Sequence, residues 1–399
     1  MSEHGTVASD AQPLTGVRVL DLGMNIAGPQ ATTLLADLGA DVVKVESPQG
    51  DTSRALEPKL DGVSAMAMTM NRNKRYLGLD LRHPDAAPVR EALVRWADVA
   101  VQNLRPGKAE QLGIGADQCH DINPRLVHVS VEAFYPSEGT RPGYDLLVQA
   151  ETGMMHLTGD ADGPPSRLPG SLLDHTTGLF AAFGIAAALH GPRDRHRLTV
   201  SMSDVAQSLL GDRVAAYLLS GEAPQRMGSA ISVTTPLQSY RTGDGDLAIG
   251  AASDALFRRL GEALGVDLAG DSRFATQATR LQHRHELDDA IEEVLATASA
   301  EVWYERLHAA GIPTARVRDL PGAVERHREL SRTGLVPVEG LPGAELVANP
   351  LGSAVAPRVP GPVGADSRSL LVDLLGFGQD DYLKWVESGV VVPTPEEGA

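Results

Sequence analysis

Val17-Arg-Val-Leu-Asp-Leu22, followed by Gln30 to Leu38 and then Asp41-Val-Val-Lys-Val-Glu46, decides the fold. The first segment is dense in branched residues and reads as a strand. Gln30 to Leu38 carries apolar residues at helical spacing and closes at Gly39, and Asp41 to Glu46 is a second strand. Together they make a βαβ unit, which implies a parallel sheet with right-handed crossovers. The alternation resumes with a helix from Pro84 to Trp96, a strand from Val99 to Asn103, a short helix near Lys108 to Leu112 and a strand from Leu126 to Val131. This pattern predicts a doubly wound α/β domain.

The turn after the first strand, Gly23-Met-Asn-Ile-Ala-Gly28-Pro29-Gln30, is neither G-x-G-x-x-G nor a P-loop, because Pro29-Gln30 stands where Lys-Ser/Thr is required. A dinucleotide or ATP site is therefore not expected there. Small residues at the carboxyl end of a first parallel strand still mark the usual ligand crevice of such a sheet. Farther on, Arg197 to Met202 reads as a strand and Ser203 to Leu219 as a helix. Leu237 to Arg241 and Leu247 to Gly250 flank Gly243-Asp-Gly-Asp246 as a hairpin. Helical patterns follow at Asp254 to Leu264, Leu281 to Ala296, Ala300 to Ala310 and Leu320 to Leu330, with a short strand at Thr314 to Val317. Leu335 to Val363 is rich in Pro and Gly, and Ser367 to Leu375 and Gln379 to Glu387 look helical. The expected division is a large Rossmann-like domain at 1–224, a smaller α+β domain at 225–330 and a segment at 331–399 that returns to the large domain.

With 399 residues the chain can bury a large core. A net charge of -17 argues against nucleic acid or an anionic membrane as a partner, since both want basic surfaces. An anionic ligand must then be met by a local basic pocket. The single cysteine, Cys119, allows neither an internal disulfide nor a cysteine zinc site, no metal is expected, and the reducing cytoplasm is the expected compartment. Met1 to Pro13 reads as a loose tail, and the apolar run near Phe180 to Leu189 as a buried helix too short to span a bilayer.

Chemistry concentrates between Gly143 and His190. Gly-Tyr-Asp at 143–145 opens one helical pattern, a polar loop from Gly159 to Gly170 follows, and Asp174 sits in the first turn of a second pattern. A carboxylate there is stabilised by unpaired N–H groups, so Asp174 is read either as a charge complementing the helix end or as a reactive group. Asn71-Arg72-Asn73-Lys74-Arg75 is read either as a solvated loop or as an anion site. No G-x-S-x-G or H-E-x-x-H occurs.

Leu14-Thr-Gly-Val-Arg-Val-Leu-Asp-Leu, Ala27-Gly-Pro, Leu38-Gly-Ala-Asp-Val-Val-Lys-Val-Glu, Asn73-Lys-Arg, Leu79-Asp-Leu-Arg82, Gln102-Asn-Leu-Arg-Pro-Gly107, Pro142-Gly-Tyr-Asp145 and Leu173-Asp174 follow one another as in the class III (family III) CoA-transferases. That superfamily holds formyl-CoA transferase, carnitine CoA-transferase and α-methylacyl-CoA racemase, and the resemblance runs from about Leu14 to Glu387. It implies coenzyme A as substrate, an acyl-CoA and a carboxylic acid as reaction partners, and an interlocked dimer, homomeric or heteromeric. It implies that Asp174 is the nucleophile, accompanied by Tyr144 and Asp145. It places Ile26, Ala27, Leu79, Arg82, Asn103, Leu104 and Arg105 along the CoA site, with Arg82 as a fork donor to phosphate and backbone N–H groups of a glycine-containing loop as oxyanion donors.

Some positions depart from the family pattern. Gln111 and Ser47 stand where arginines are usual, so phosphate contacts are expected to be rearranged. Glu132-Ala-Phe-Tyr135 replaces Ser-Gly-Phe/Tyr-Gly in a loop that borders the family's site, so Glu132 is expected either to alter selectivity for the acid or to hinder binding. A glycine-rich flap has no counterpart here, which disfavours oxalate and formate. Tyr144 replaces the racemase branch's histidine, and Ser253 and Asp254 stand near its glutamate, so a racemase is the second reading, with His175 or His156 as substitute base. One subunit of a heteromeric transferase is the third.

Overall fold

The computed structural model describes residues 12–139, 141–192, 194–353 and 355–395. The tail read at Met1 to Pro13 lies, through residue 11, outside them. The chain divides into two compact units, one formed by 1–152, 168–219 and 330–399, the other by 153–167 and 220–329. The stretch 153–167 thus belongs with the second unit, whereas its sequence had placed it in the large domain. A polar Gly/Pro-rich loop carries no periodicity that reports which core it serves.

In the first unit, β1 (Arg18–Asp21), β2 (Asp41–Glu46), β3 (Arg75–Gly78), β4 (Val99–Gln102), β5 (Val127–Glu132) and β6 (Arg197–Ser201) form one parallel sheet in the order β3-β2-β1-β4-β5-β6. Branched residues alternate across it as the pleat requires. Val19, Val42, Val99, Val127 and Val129 face α1 (Ala27–Asp37), while Leu20, Val43, Leu77 and Ala100 face α2 (Ala87–Trp96). Leu370, Tyr382, Val390 and Val391 join the second of these cores, so the C-terminal segment packs in the first unit. Strand β3 ends at Gly78, because Leu79 leaves the sheet to bridge Val391.

After β5 come α3 (Asp145–Glu151) and α4 (Leu172–His190), then β6 and α5 (Met202–Leu209). Helix α4 has 19 residues and, by length and composition alone, is apolar enough to cross a membrane. The apolar run near Phe180 to Leu189 is the later part of this longer helix, whose first turn holds Asp174 as expected. Ala181 and Ile185 of α4 are buried against the sheet face that α1 covers. The single helix expected at Ser203 to Leu219 is two, α5 and a second one at Gly211–Ser220, divided where Gly211 weakens helical preference.

The second unit has an antiparallel sheet, β7 (Leu237–Arg241), β8 (Asp246–Gly250) and β9 (Thr314–Arg316), ordered β9-β8-β7. The helices α6 (Asp254–Leu264), α7 (Arg284–Leu295) and α8 (Ala300–Ala309) close one core with it through Phe257, Ile291 and Trp303. The run at Leu281 to Ala296 is broken at His283, where a short helix at Gln277–Gln282 ends.

Candidate active site

Chain order reverses between β1 and β4, since β2 and β3 lie on one side of β1 and β4 to β6 on the other. A crevice opens beyond the carboxyl ends of such strands. Here it is a cleft of about 190 Å³ whose lining includes Leu22, Met24, Leu79, Arg82, Leu104 and Lys108. Of the residues that the resemblance sets along a ligand site, Leu79, Arg82 and Leu104 line this cleft, and Ile26, Ala27, Asn103 and Arg105 lie outside its lining. Ile26 and Ala27 are buried at the head of α1. Asn103 works at one remove: its Oδ1 accepts from the Met24 N–H at 2.7 Å and its Nδ2 donates to the Met24 carbonyl at 2.8 Å. This two-bond clasp holds the turn after β1 against the turn after β4. Arg105 is exposed.

The cleft's charges are mostly spoken for. Glu46 is paired with Arg54 at 2.8 Å, Asp51 with Lys44 at 3.1 Å, and Asp80 with the exposed Arg82 at 2.8 Å. Lys108, which the sequence reading missed, reaches only the neutral Gln111 side chain among the described residues, at 3.5 Å. It is the lining cation left to meet an anion. The available signal was its place after Pro106-Gly107, in a chain short of positive charge.

Behind the cleft, the cluster at 71–75 is neither a solvated loop nor an anion site. Lys74 is buried and donates to Asp21 Oδ2 at 2.8 Å; Arg72 pairs with Asp37 at 2.6 Å and Arg75 with Asp41 at 2.5 Å. Burial alone would push the Asp21 carboxyl up, but Lys44 and Lys74 overcome it and hold it down at about 2. Lys44 also donates to the Gly23 carbonyl at 2.8 Å, and the Asp51 carboxylate accepts from the Asn25 N–H at 3.2 Å. The network therefore fixes the turn that walls the cleft.

Asp174 and Asp145 meet at the head of α4. The N-cap residue, Ser171, gives this helix no side-chain cap. The cap comes instead from α3: Asp145 Oδ2 accepts from the N–H groups of Leu173 at 3.0 Å and Asp174 at 3.2 Å. Asp145 is delivered there by Pro142-Gly143-Tyr144. Gly143 is required, because a Cβ on it would lie 2.3 Å from Ala133 Cβ and 2.8 Å from the Phe134 ring. The capping hydrogen bonds at this helix end are thus made by Asp145, and Asp174, though in the first turn, makes none of them. The Asp174 side chain accepts no hydrogen bond from any described residue. Burial and the charge of Asp145 push its carboxyl up to about 7, the loss of hydration and the like charge both disfavouring the anion. Helix α4 reaches α1 at Gly178, where a Cβ would lie 2.7 Å from Gln30 Cβ and 2.8 Å from the Ala27 carbonyl. This close approach brings the Asp174 end of α4 to the carboxyl edge of the sheet.

Tyr144, at the start of α3, is 63% exposed and available to a ligand. Glu132 is the last residue of β5. Val127, Val129 and Val131 face α1 and α4, so Glu132 continues the row of His128 and Ser130 on the opposite face, near Glu110. Burial pushes the His175 imidazole down against the upward pull of Asp145. In the second unit, Ser253 caps α6, accepting from the Leu256 N–H, and Asp254 pairs with the buried Arg280 at 2.5 Å. Neither is poised as a free base. Exposed His156 uses its carbonyl to accept from Arg226. Among the described residues no group of three or more His, Cys, Asp or Glu side chains is arranged to hold a metal ion.

Comparison with known proteins gives consistent results. A family model described as CoA-transferase family III matches residues 14–358. The chain is 32% identical to succinyl-CoA--D-citramalate CoA-transferase of Chloroflexus aurantiacus, over 93% of this chain and 96% of that one. It is 33% identical to acetyl-CoA:oxalate CoA-transferase of Acetobacter aceti, over 84% of this chain and 88% of that one. Among solved structures, a variant of Rv3272 from Mycobacterium tuberculosis superposes with a TM-score of 0.80 at 30% identity, covering 90% of this chain and 99% of that one.

Proposed function

The chain belongs to CoA-transferase family III and is an acyl-CoA:carboxylate CoA-transferase, and we propose that its chemistry runs through Asp174. The observation that carries this is the division of labour at the head of α4. Asp145 caps the helix, and the Asp174 carboxylate accepts no hydrogen bond from any described residue. A carboxylate so deprived of stabilisation is a better nucleophile than a solvated one.

The steps balance without a further reactant. An Asp174 oxygen attacks the thioester carbonyl, the C–S bond breaks, and CoA thiolate leaves an acyl-aspartyl anhydride. The thiolate then attacks Asp174 Cγ, releasing the donor's carboxylate and forming an aspartyl-CoA thioester. The acceptor carboxylate attacks the same carbon, and the thiolate, released again, attacks the acceptor's acyl carbon and regenerates Asp174. Arg82, Leu79 and Leu104 line the cleft proposed for CoA, Asn103 holds its Met24 wall, and Ile26, Ala27 and Arg105 lie outside its lining. Tyr144 is proposed to meet the acyl group. Given the relatives' names, acetyl-CoA and succinyl-CoA are the donors to try first.

We further propose a dimer, with a second copy covering the apolar side chains of the first unit that stand exposed, among them Leu179, Phe183, Leu218 and Leu219. A cytoplasmic, reducing setting suits Cys119, whose buried thiol is pushed up to about 12 and is inert.

The test is mass spectrometry of the protein mixed with each donor and quenched with hydroxylamine, beside Asp174→Ala. A modification on the peptide holding Asp174, absent in the variant, supports the scheme. No adduct, together with solvent deuterium appearing α to the thioester, would instead identify a racemase. A chain that does not bind CoA alone would be one subunit awaiting its partner.

A further inference from the structure

We infer that Gln149 is a positioning residue for Asp174, an inference that rests on Asp174 being the nucleophile. Gln149 is fully buried and sits four residues after Asp145, on the same face of α3. Its Nε2 donates to Asp145 Oδ1 at 2.5 Å, and its Oε1 accepts from the Leu168 N–H at 2.9 Å. One amide thus holds both ends of the problem. Through Asp145 it fixes the carboxylate that caps Leu173 and Asp174. Through Leu168 it fixes the point where the chain re-enters the first unit after 153–167.

That re-entry point matters because it lies four residues before Leu172, where α4 begins. Between Leu168 and Leu172 lie Pro169, Gly170 at φ +64° and Ser171, whose side chain gives the helix no cap. The departing end of the excursion is pinned as well, since Gln207 Nε2 donates to the Thr152 carbonyl at 3.1 Å. A leucine at 149 would fill the same space with neither donor nor acceptor. It would leave the Leu168 N–H and Asp145 Oδ1 without these partners, and a misplacement of the reacting oxygen by about 1 Å can cost 10²-fold in rate.

Full-length Gln149→Leu should form the Asp174 adduct roughly 10- to 100-fold more slowly than wild type in single-turnover mixing with the donor that labels wild type. Its CoA dissociation constant, measured by calorimetry, should stay within about threefold, because the cleft is lined from other elements. Acylation at the wild-type rate would overturn the inference. So would a loss of rate matched by an equal loss of CoA binding, which marks a residue that merely supports the fold. If Gln149→Leu does not fold, Gln149→Asn, which keeps the amide one methylene shorter, is put to the same two measurements and judged by the same outcomes. If wild type forms no adduct, the nucleophile assignment fails, and the relay is judged on unfolding. The midpoint shifts of Gln149→Leu and Asp145→Asn should then be non-additive, and additive shifts would overturn it.

Discussion

The Asp174 carboxyl, held up to about 7 by burial and by Asp145, makes the protein's reactivity and its stability run in opposite directions with pH. Only the ionised form attacks a thioester. Roughly one tenth of the protein carries it at pH 6, half at pH 7 and nine tenths at pH 8. The single-turnover acylation rate should therefore rise about tenfold between pH 6 and pH 8 and then level off. Stability has the reverse sign. The folded state holds the proton more tightly than the unfolded chain, so this contribution is complete below the unfolded pKa near 4 and is lost as pH rises through about 7. The interval is about 3 pH units at 1.36 kcal/mol each, a ceiling of about 4 kcal/mol, which the carboxyl's partial exposure reduces to roughly 1–3 kcal/mol. Asp174→Asn, which cannot ionise, should be as stable as wild type near pH 4 and more stable by about that amount at pH 8, measured by urea unfolding at each pH. An acylation rate flat from pH 5 to pH 9, or a stability difference that shrinks as pH rises, would refute the claim that Asp174 is held back from ionising.

Three further outcomes follow from the neighbouring contacts. Lys74→Met leaves Asp21 buried with one cation fewer and should cost about 3–5 kcal/mol in urea unfolding; in wild type the contribution of Asp21 is present above pH 4 and lost as pH falls through about 2. Gly178→Ala forces a methyl into Gln30 and the Ala27 carbonyl and should cost about 1–3 kcal/mol, with slower acylation because the head of α4 moves away from α1. Lys108→Ala should weaken CoA binding about three- to tenfold at low salt and less at high salt, whereas Asp80→Asn, by releasing Arg82, should tighten it; equal binding in all three proteins would remove both cations from the site.

The parallel sheet was legible because its signal is local. Val17 to Leu22 and Asp41 to Glu46 are short branched runs flanking a helical period, and burial on both faces of a sheet demands that composition wherever the strand falls. What was not legible depends on partners distant in the chain. Arg72, Lys74 and Arg75 look like any basic cluster until Asp37, Asp21 and Asp41 are brought beside them. Residues 153–167 carry no mark of the second unit. The face taken by Glu132 depends on where β5 begins: one residue of register decides between the two sides of the sheet, and Val127, Val129 and Val131 commit it to the side away from α4.

The site repeats that lesson at the scale of two carboxylates. An aspartate in the first turn of a helix reads equally well as a cap or as a reactive group, and within Ser171-Leu-Leu-Asp174 nothing separates the two. The separating fact is another residue's position. Asp145 reaches the head of α4 because Gly143 lets the chain turn against Ala133 and Phe134, and because Gln149 holds the carboxylate once it is there. Asp145 takes the N–H groups of Leu173 and Asp174, so the cap at this helix end is Asp145 and not Asp174, whose carboxyl burial holds back from ionising. The charge of Asp145 raises the energy of the Asp174 anion further. Capping and reactivity, alternatives when one aspartate is considered alone, are divided between the residues when there are two. Asp145→Asn should accordingly move the midpoint of the acylation pH profile below 7 while slowing the reaction at its plateau, because one substitution removes both the opposing charge and the clamp on the helix. An unmoved midpoint would mean that burial alone sets the reactivity of Asp174.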